Sequence, residues 1–203
     1  NAHQGALTEL QMLVKHLIGR NYQDEIDSGL LFADQVVELA NLFRGRLISL
    51  VANWIRVGYC QGNFNSDNCA AGGFTLDYGP FGFCELFDPK FQPWTGGGDH
   101  FSFFNQPLAA EANYHMFWSA IRPLLTNNLE ARAKLDDLRY DFAESMRKEI
   151  DAMWTKKLGL KSYDPMLVNE LQELMIVSKV DFTIFFRQLS LIPDQITELK
   201  ESF

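Results

Sequence analysis

The chain has few basic residues: Lys and Arg number 18 against 26 Asp and Glu, which gives a formal net charge of −8. Nucleic-acid binding depends on a basic face that releases counterions from phosphates, and neither a Lys/Arg cluster nor a basic stripe is present. No apolar run approaches the roughly 20 residues that span a bilayer. We therefore expect neither a nucleic-acid partner nor a membrane partner.

Cysteine is scarce too. Cys60, Cys69 and Cys84 are the three cysteines, and their spacing matches no zinc motif. A reducing intracellular compartment is the simplest inference. The apolar fraction is 47% over 203 residues, which is enough to bury a core as one domain and argues against disorder.

The most informative segment runs from 58 to 83 and contains a Gly72-Gly73 pair. If that pair forms a two-residue hairpin turn, Asn68 stands opposite Asp77. Opposed Cβ atoms lie roughly 4.5–5.5 Å apart, so an amide and a carboxylate oxygen could share one cation. Magnesium takes one or two protein oxygens and completes its shell with water and substrate phosphates, which favours a Mg²⁺-nucleotide site. The neighbouring Asp67 remains available as a base.

A plainer interpretation is that this segment is only a set of turns, since Asx and Gly residues satisfy local backbone groups. The order of its parts favours the functional alternative. An Asx-containing loop that ends in Asn, a short hairpin and then Asp-aromatic-Gly is the order of a protein kinase catalytic loop and its metal-binding Asp-Phe-Gly. In that frame the usual base position holds Asn63, which accepts no proton at neutral pH, and Asp67 could substitute.

Several motifs together resemble the selenoprotein O family, also called the YdiU family, whose members have a protein-kinase-like fold. The resemblance rests on Gly58-Tyr59-Cys60, Asn65-Ser66-Asp67-Asn68, Asp77-Tyr78-Gly79-Pro80, Asp88-Pro89 and Asn105-Gln106-Pro107, and on the segment 178–190 near the other end. Two positions depart from the family pattern. Gln61 stands where His is usual, and Asn63 stands where an apolar residue is usual.

The resemblance implies a protein adenylyltransferase. Such an enzyme transfers AMP from ATP to Ser, Thr or Tyr hydroxyls of protein substrates and releases pyrophosphate. It implies Asp67 as the proton acceptor, Asn68 and Asp77 as ligands of Mg²⁺ (with Mn²⁺ as an alternative), and contact of both with the nucleotide. The implied compartment is the cytoplasm in a bacterium and the mitochondrion in a eukaryote.

Two other functions stay open beside adenylyl transfer. One is a nucleotide-binding pseudokinase or interaction module that no longer catalyses a reaction, because its loop carries Gln61 and Asn63. The other is ordinary phosphotransfer, which is disfavoured because Asn63 occupies the usual base position. Retention of Asp67, Asn68 and Asp77 favours an enzyme, since a scaffold has no physical need for two acids and an amide at one hairpin mouth.

The fold class that we predict is mainly α with a short β-hairpin, the C-terminal lobe of a protein-kinase-like domain. Upstream of Gly58 there is no Gly-x-Gly-x-x-Gly loop, no strand carrying an ATP-binding Lys and no arginine pair for phosphates. We expect residues 1–203 to be a single helical lobe that is truncated at both ends and binds ATP poorly alone. Its predicted segments are a catalytic loop at 58–68, the metal Asp-Tyr-Gly at 77–79, an activation-like loop at 80–107 and helices at 108–203.

Apolar spacing of three and four residues predicts the helices. They are expected over 10–18, over 30–57, over 108–125, as one stretch over 129–158, from Pro165 to 177, over 181–191, and beyond Pro193 from about Asp194. The Gly-, Pro- and aromatic-rich stretch 83–107 predicts a long ordered loop. Its rings are expected to fasten the loop to the helices rather than to stack on bases, because Lys90 is the only basic residue among them.

Overall fold

The computed structural model describes residues 6–191 of the chain, and within them it is mainly helical. The described residues contain seven α-helices and one two-stranded antiparallel sheet. Their bounds are α1 Leu7–Asn21, α2 Phe32–Val57, α3 Gln106–Ile121, α4 Leu129–Tyr140, α5 Phe142–Lys157, α6 Pro165–Val177, α7 Phe182–Leu189, β1 Tyr59–Gln61 and β2 Phe81–Phe83. The helix predicted from about Asp194 lies outside the described residues.

The chain divides into two compact units. Within the described residues, the first unit comprises residues 6–50 together with Asn65–Asp77 and Ala110–Met146. The second comprises Val51–Phe64, Tyr78–Ala109 and residues 147–191. The prediction that residues 1–203 form a single lobe of a protein-kinase-like domain stays a prediction.

The long helix predicted over 30–57 is confirmed as α2. Its apolar residues recur every three or four positions and are almost completely buried, as Val36, Leu39, Leu47 and Val51 show at 0% exposure. Burial of such a stripe, rather than intrinsic propensity, stabilises most helices in folded proteins. The helix that precedes the candidate catalytic loop is thus a core element.

The single helix predicted over 129–158 is wrong, because two helices meet there at Asp141. Phe142 would ordinarily donate its backbone N–H to the carbonyl of Leu138, four residues earlier. That carbonyl instead accepts from the Arg44 guanidinium at 3.4 Å, and the same guanidinium pairs with the Asp141 carboxylate at 2.9 Å. A long-range contact therefore lies at the position where the helix predicted from the apolar periodicity ends and a second helix begins.

Aspartate caps begin the last two described helices. Asp164 accepts hydrogen bonds from the backbone N–H groups of Met166 and Leu167 before α6, and Pro165 occupies the first turn as predicted. Asp181 accepts from Ile184 before α7. Both predicted helices are confirmed, and their start positions follow from these caps.

The predicted hairpin register is wrong. The turn at Gly72-Gly73 carries one antiparallel bridge, and that bridge joins Cys69 to Thr75 rather than to Leu76. The two strands of the sheet lie further out, where β1 pairs with β2 through Tyr59 with Phe83 and Gln61 with Phe81. A type I′ turn needs positive φ at both central residues. Gly73 has φ +75° whereas Gly72 is not in that region, so the tight two-residue turn does not form.

The stretch 83–107 forms an ordered loop with two short 3₁₀ turns, as predicted. Two of its aromatic rings pack on the same ring of α7 in the second unit: Phe87 stacks on Phe182 with centroids 5.7 Å apart, and Phe103 meets Phe182 edge-on at 5.9 Å. These rings fasten the loop to α7. Across residues 6–191, no helix combines the length and the apolarity that a bilayer crossing requires.

Candidate active site

The two ends of the candidate loop are closed by backbone pairing in the second unit. β1 and β2 pair in antiparallel register, and the Gly62 N–H donates to the Pro80 carbonyl at 2.7 Å just inside them. An added Cβ at Gly62 would collide with the backbone oxygen of Pro80, so only glycine fits there without displacement of the backbone. The segment between residues 62 and 80 is therefore a closed loop with a fixed base.

Gln106, at the start of α3, fastens this base. Its side chain is completely buried, accepts from the Gln61 N–H at 2.8 Å and donates to the carbonyls of Tyr59 and Phe103, both at 3.0 Å. One amide thus satisfies three buried backbone groups, two of which belong to β1. Such groups are costly to bury without partners, so Gln106 holds the strand that leads into the loop.

Gln61 lies in the core and not at an exposed site. It is 1% exposed, and its Oε1 accepts a hydrogen bond from the Tyr59 hydroxyl. The departure from His at this position is therefore accommodated as a buried amide contact. Asn63 is half-buried and has interactions of its own.

The three predicted site residues lie within thirteen consecutive residues, Asn65–Asp77, that belong to the first unit. Asp67 and Asn68 sit on a one-turn 3₁₀ helix, Ser66–Asn68, in which the Asn68 N–H donates to the Asn65 carbonyl at 3.0 Å. Asp77 follows two residues after the bridge at Thr75. Asp67 is exposed, while Asn68 and Asp77 are half-buried. A one-turn helix and a bridge thus replace the predicted ladder pair.

Two residues of the helical core hold the turn between Asn68 and Asp77. Tyr22, just after α1, donates its hydroxyl to the Ala71 carbonyl, and Arg46 of α2 donates to the Gly72 carbonyl at 3.1 Å. The Arg46 guanidinium also lies 4.1 Å from the centre of the Tyr22 ring and pairs with the Glu25 carboxylate. Burial raises the pKa of the Tyr22 hydroxyl to about 12, although the neighbouring Arg46 opposes that shift.

A cavity of about 330 Å³ lies beside the 3₁₀ turn in the first unit. Ser66 and Cys69, which flank Asp67 and Asn68 in sequence, contribute to its wall, and the rings of Phe43 and Phe117 contribute the apolar side. Burial raises the pKa of the Cys69 thiol to about 12, so this sulfur is protonated at neutral pH. The cavity suits an apolar group better than a phosphate.

The oxygen-bearing side chains of Asn68 and Asp77 are the candidate ligands of a magnesium ion. Among residues 6–191 there is no cluster of three His, Cys, Asp or Glu side chains that could hold a metal. Magnesium in nucleotide sites needs only one or two protein oxygens. Asn68 and Asp77 supply an amide and a carboxylate oxygen from one short segment, and both side chains reach solvent in part.

Sequence reasoning missed the residues that support this loop. Gln106 belongs to the Asn105-Gln106-Pro107 motif, which marked this position in the sequence. The motif does not show which backbone groups the Gln106 side chain contacts. Arg46 and Tyr22 act from positions 26 and 49 residues away from their partners in the turn. No local pattern in the sequence identifies contacts of that range.

Comparison with known proteins identifies relatives that are protein nucleotidyltransferases. The protein nucleotidyltransferase YdiU of Xanthomonas campestris is 31% identical over 210 residues, which cover 100% of this chain and 39% of that protein. The YdiU protein of Nitrosococcus oceani is 34% identical over 187 residues, 89% of this chain and 37% of that protein. The chain therefore spans well under half the length of these curated relatives.

A family model described as "Protein adenylyltransferase SelO" matches residues 2–202. The chain belongs to the SelO family, and the resemblance drawn from its motifs is confirmed.

Proposed function

We propose that the chain carries the catalytic loop and metal-binding residues of a protein adenylyltransferase, which transfers AMP from ATP to Ser, Thr or Tyr hydroxyls of protein substrates. The observation that carries this proposal is the placement of Asp67, Asn68 and Asp77 on one short segment of a SelO-family chain. Hydrogen bonds from Tyr22 and Arg46 hold the turn of that segment. Asp67 is exposed, and Asn68 and Asp77 are partly accessible to solvent. The names of the relatives support nucleotidyl transfer as the reaction class.

The chemistry assigned to the chain is a proton transfer at Asp67. The acceptor hydroxyl oxygen attacks the α-phosphorus of ATP, the bond from that phosphorus to the bridging oxygen breaks, and pyrophosphate leaves. The hydroxyl proton passes to the Asp67 carboxylate. An exposed carboxylate on a one-turn helix is accessible to an incoming protein side chain and can serve as such a base.

Asn68 and Asp77 are assigned to Mg²⁺, which supplies neutralisation of the phosphate oxygens when it is bound. Arg46 and Tyr22 hold the turn that lies between Asn68 and Asp77, and they act as positioning residues. Within the second unit, Gln106 and the β1–β2 pairing hold the strand Tyr59–Gln61. The chain's own contribution is thus orientation of one base and two oxygen ligands.

The test uses the full-length protein with Mg²⁺ and ATP labelled either on the α-phosphate or on the γ-phosphate. We expect label to reach protein from the α-position only, and Asp77→Ala to abolish the transfer. Transfer from the γ-position would establish a kinase instead. ATP binding without any transfer would establish the pseudokinase alternative.

A matched control separates the site from general charge effects. Asp24 is exposed, lies in the first unit and forms no ion pair with the described residues. Asp24→Ala removes the same charge as Asp77→Ala and is expected to leave transfer intact. Equal loss in both variants would remove the assignment of Asp77.

A further inference from the structure

A small cavity of the second unit is lined by three cations. It lies where α2, α5 and α7 contribute Arg56, Lys157 and Arg187, and its volume is about 260 Å³. Arg56 and Arg187 are exposed at its mouth, and Lys157 is half-buried in its wall. None of them belongs to the segment Asn65–Asp77 that carries the proposed active site.

The three positive charges lack compensation within the described residues. Among residues 6–191, the ion pairs do not include any of the three. Arg56 donates to the neutral amide of Asn53 at 2.9 Å, and Lys157 donates to the Arg56 carbonyl at 2.7 Å. In a chain of net charge −8, an uncompensated cluster of cations is unexpected. Clefts lined by one sign of charge concentrate ions of the opposite sign.

Lys157 is held in place rather than mobile. Its ammonium lies 3.7 Å from the centre of the Phe186 ring and 4.9 Å from that of Phe182. Burial and the neighbouring Arg56 lower its pKa to about 8. An ammonium that has lost part of its hydration and keeps unused donors binds an anion more strongly than a solvated surface lysine does.

We infer that this cavity is a binding site for a small phosphate-type oxyanion, held by Arg56, Lys157 and Arg187. The volume of the cavity limits the size of the ligand. Pockets for drug-sized molecules span roughly 300–1,000 Å³, so about 260 Å³ suits inorganic phosphate or pyrophosphate rather than a whole nucleotide. The hydroxyl of Thr183 lines the same cavity and can donate to an oxyanion.

The test is calorimetric titration of the full chain with inorganic phosphate, pyrophosphate and ATP, each without divalent metal. We expect saturable binding of the two small anions and about a tenfold loss of affinity in Arg187→Gln, since one charge-assisted contact is removed. Arg187 is exposed, so this variant is expected to fold. Lys157→Met should lower the affinity for these anions more than Arg187→Gln does.

The control is Lys156→Met, one position earlier on α5, where the side chain is exposed and does not line the cavity. It removes the same charge and should keep the wild-type affinity. Absence of saturable binding, or equal affinity in Arg187→Gln and wild type, would overturn the site. ATP bound more tightly than pyrophosphate, with the same loss in Arg187→Gln, would overturn the small-ion assignment. Binding that survives Asp77→Ala separates this site from the proposed active site.

Discussion

Single residues decide whether the loop that carries Asp67, Asn68 and Asp77 keeps its shape. Its turn depends on Gly73, whose φ of +75° belongs to the left-handed region that glycine adopts without strain. A side chain there would also collide with the stem of Arg46, the residue that holds the Gly72 carbonyl. The backbone conformation and the contact with Arg46 therefore both require glycine at position 73.

Gly73→Ala is expected to lower the free energy of unfolding by about 2 kcal/mol or more, because the left-handed strain of about 1 kcal/mol is joined by the collision with Arg46. Urea denaturation measures the change. Gly159→Ala is the matched control, since Gly159 has φ +65° but an added Cβ would meet no atom within 4 Å. It should lose about 1 kcal/mol. Equal losses at the two positions would show that the Arg46 contact has no energetic role.

Gln106 gives a second prediction at this scale. Gln106→Leu removes the partners of the Gln61 N–H and of the Tyr59 and Phe103 carbonyls, all in a buried setting. Unpaired buried groups of this kind cost about 1–3 kcal/mol each, so the loss of three partners should lower the free energy of unfolding by at least about 3 kcal/mol in urea denaturation. Gln92→Leu, a half-buried amide in the same unit, is the comparison. A loss no larger than that of Gln92→Leu would contradict the anchoring role.

Among the elements, the helices and the presence of a short β-hairpin were largely predictable, and the register of the hairpin was not. The stripe containing Val36, Leu39 and Leu47 identified α2, because burial and helical periodicity coincide there. The loop at 83–107 followed from its glycines, prolines and rings. The register at Cys69 and Thr75 could not be read in the same way, since it depends on which glycine takes positive φ and on Arg46 and Tyr22 from distant helices.

The same distinction applies to the candidate site. Asp67, Asn68 and Asp77 were found because their residue types and order carry the chemistry. Their support was not found, because Arg46 and Tyr22 hold the turn from 26 and 49 residues away in the sequence. The break between α4 and α5 is a third example, where the Arg44 guanidinium takes a helix carbonyl.

The start of α6 gives a prediction at the element scale. Asp164→Ala removes the acceptor of the Met166 and Leu167 N–H groups and should lower the free energy of unfolding by about 1 kcal/mol. Asp164→Asn retains a side-chain oxygen and should lose only a small part of that. Thermal and urea unfolding of both variants measure the difference. A similar loss in both variants would point to the charge rather than the cap.

At the scale of the whole molecule, buried ionisable groups set the response to alkaline pH. Burial raises the pKa of Cys60 and Cys69 from 9.0 to about 12, and that of Tyr22 from 10.0 to about 12. Above pH 9 the unfolded chain releases these protons while the folded chain keeps them, so stability falls as pH rises. Lys157 acts in the opposite sense. Its folded pKa of about 8 lies below the ordinary 10.5, so the unfolded chain binds more protons between those values and stability rises there.

We therefore expect the urea midpoint to rise slightly from about pH 7.5 to about pH 8.5, where Lys157 contributes most, and to fall from about pH 9 upward as Cys60, Cys69 and then Tyr22 outweigh it. Midpoints at half-unit steps from pH 7.5 to 11 under reducing conditions measure this. Lys157→Met should lose the rise and keep the fall, while Tyr22→Phe should weaken the fall above pH 10. A rise that persists in Lys157→Met would show that this ammonium is not desolvated in the folded chain, and the oxyanion cavity would then lose one of its supports.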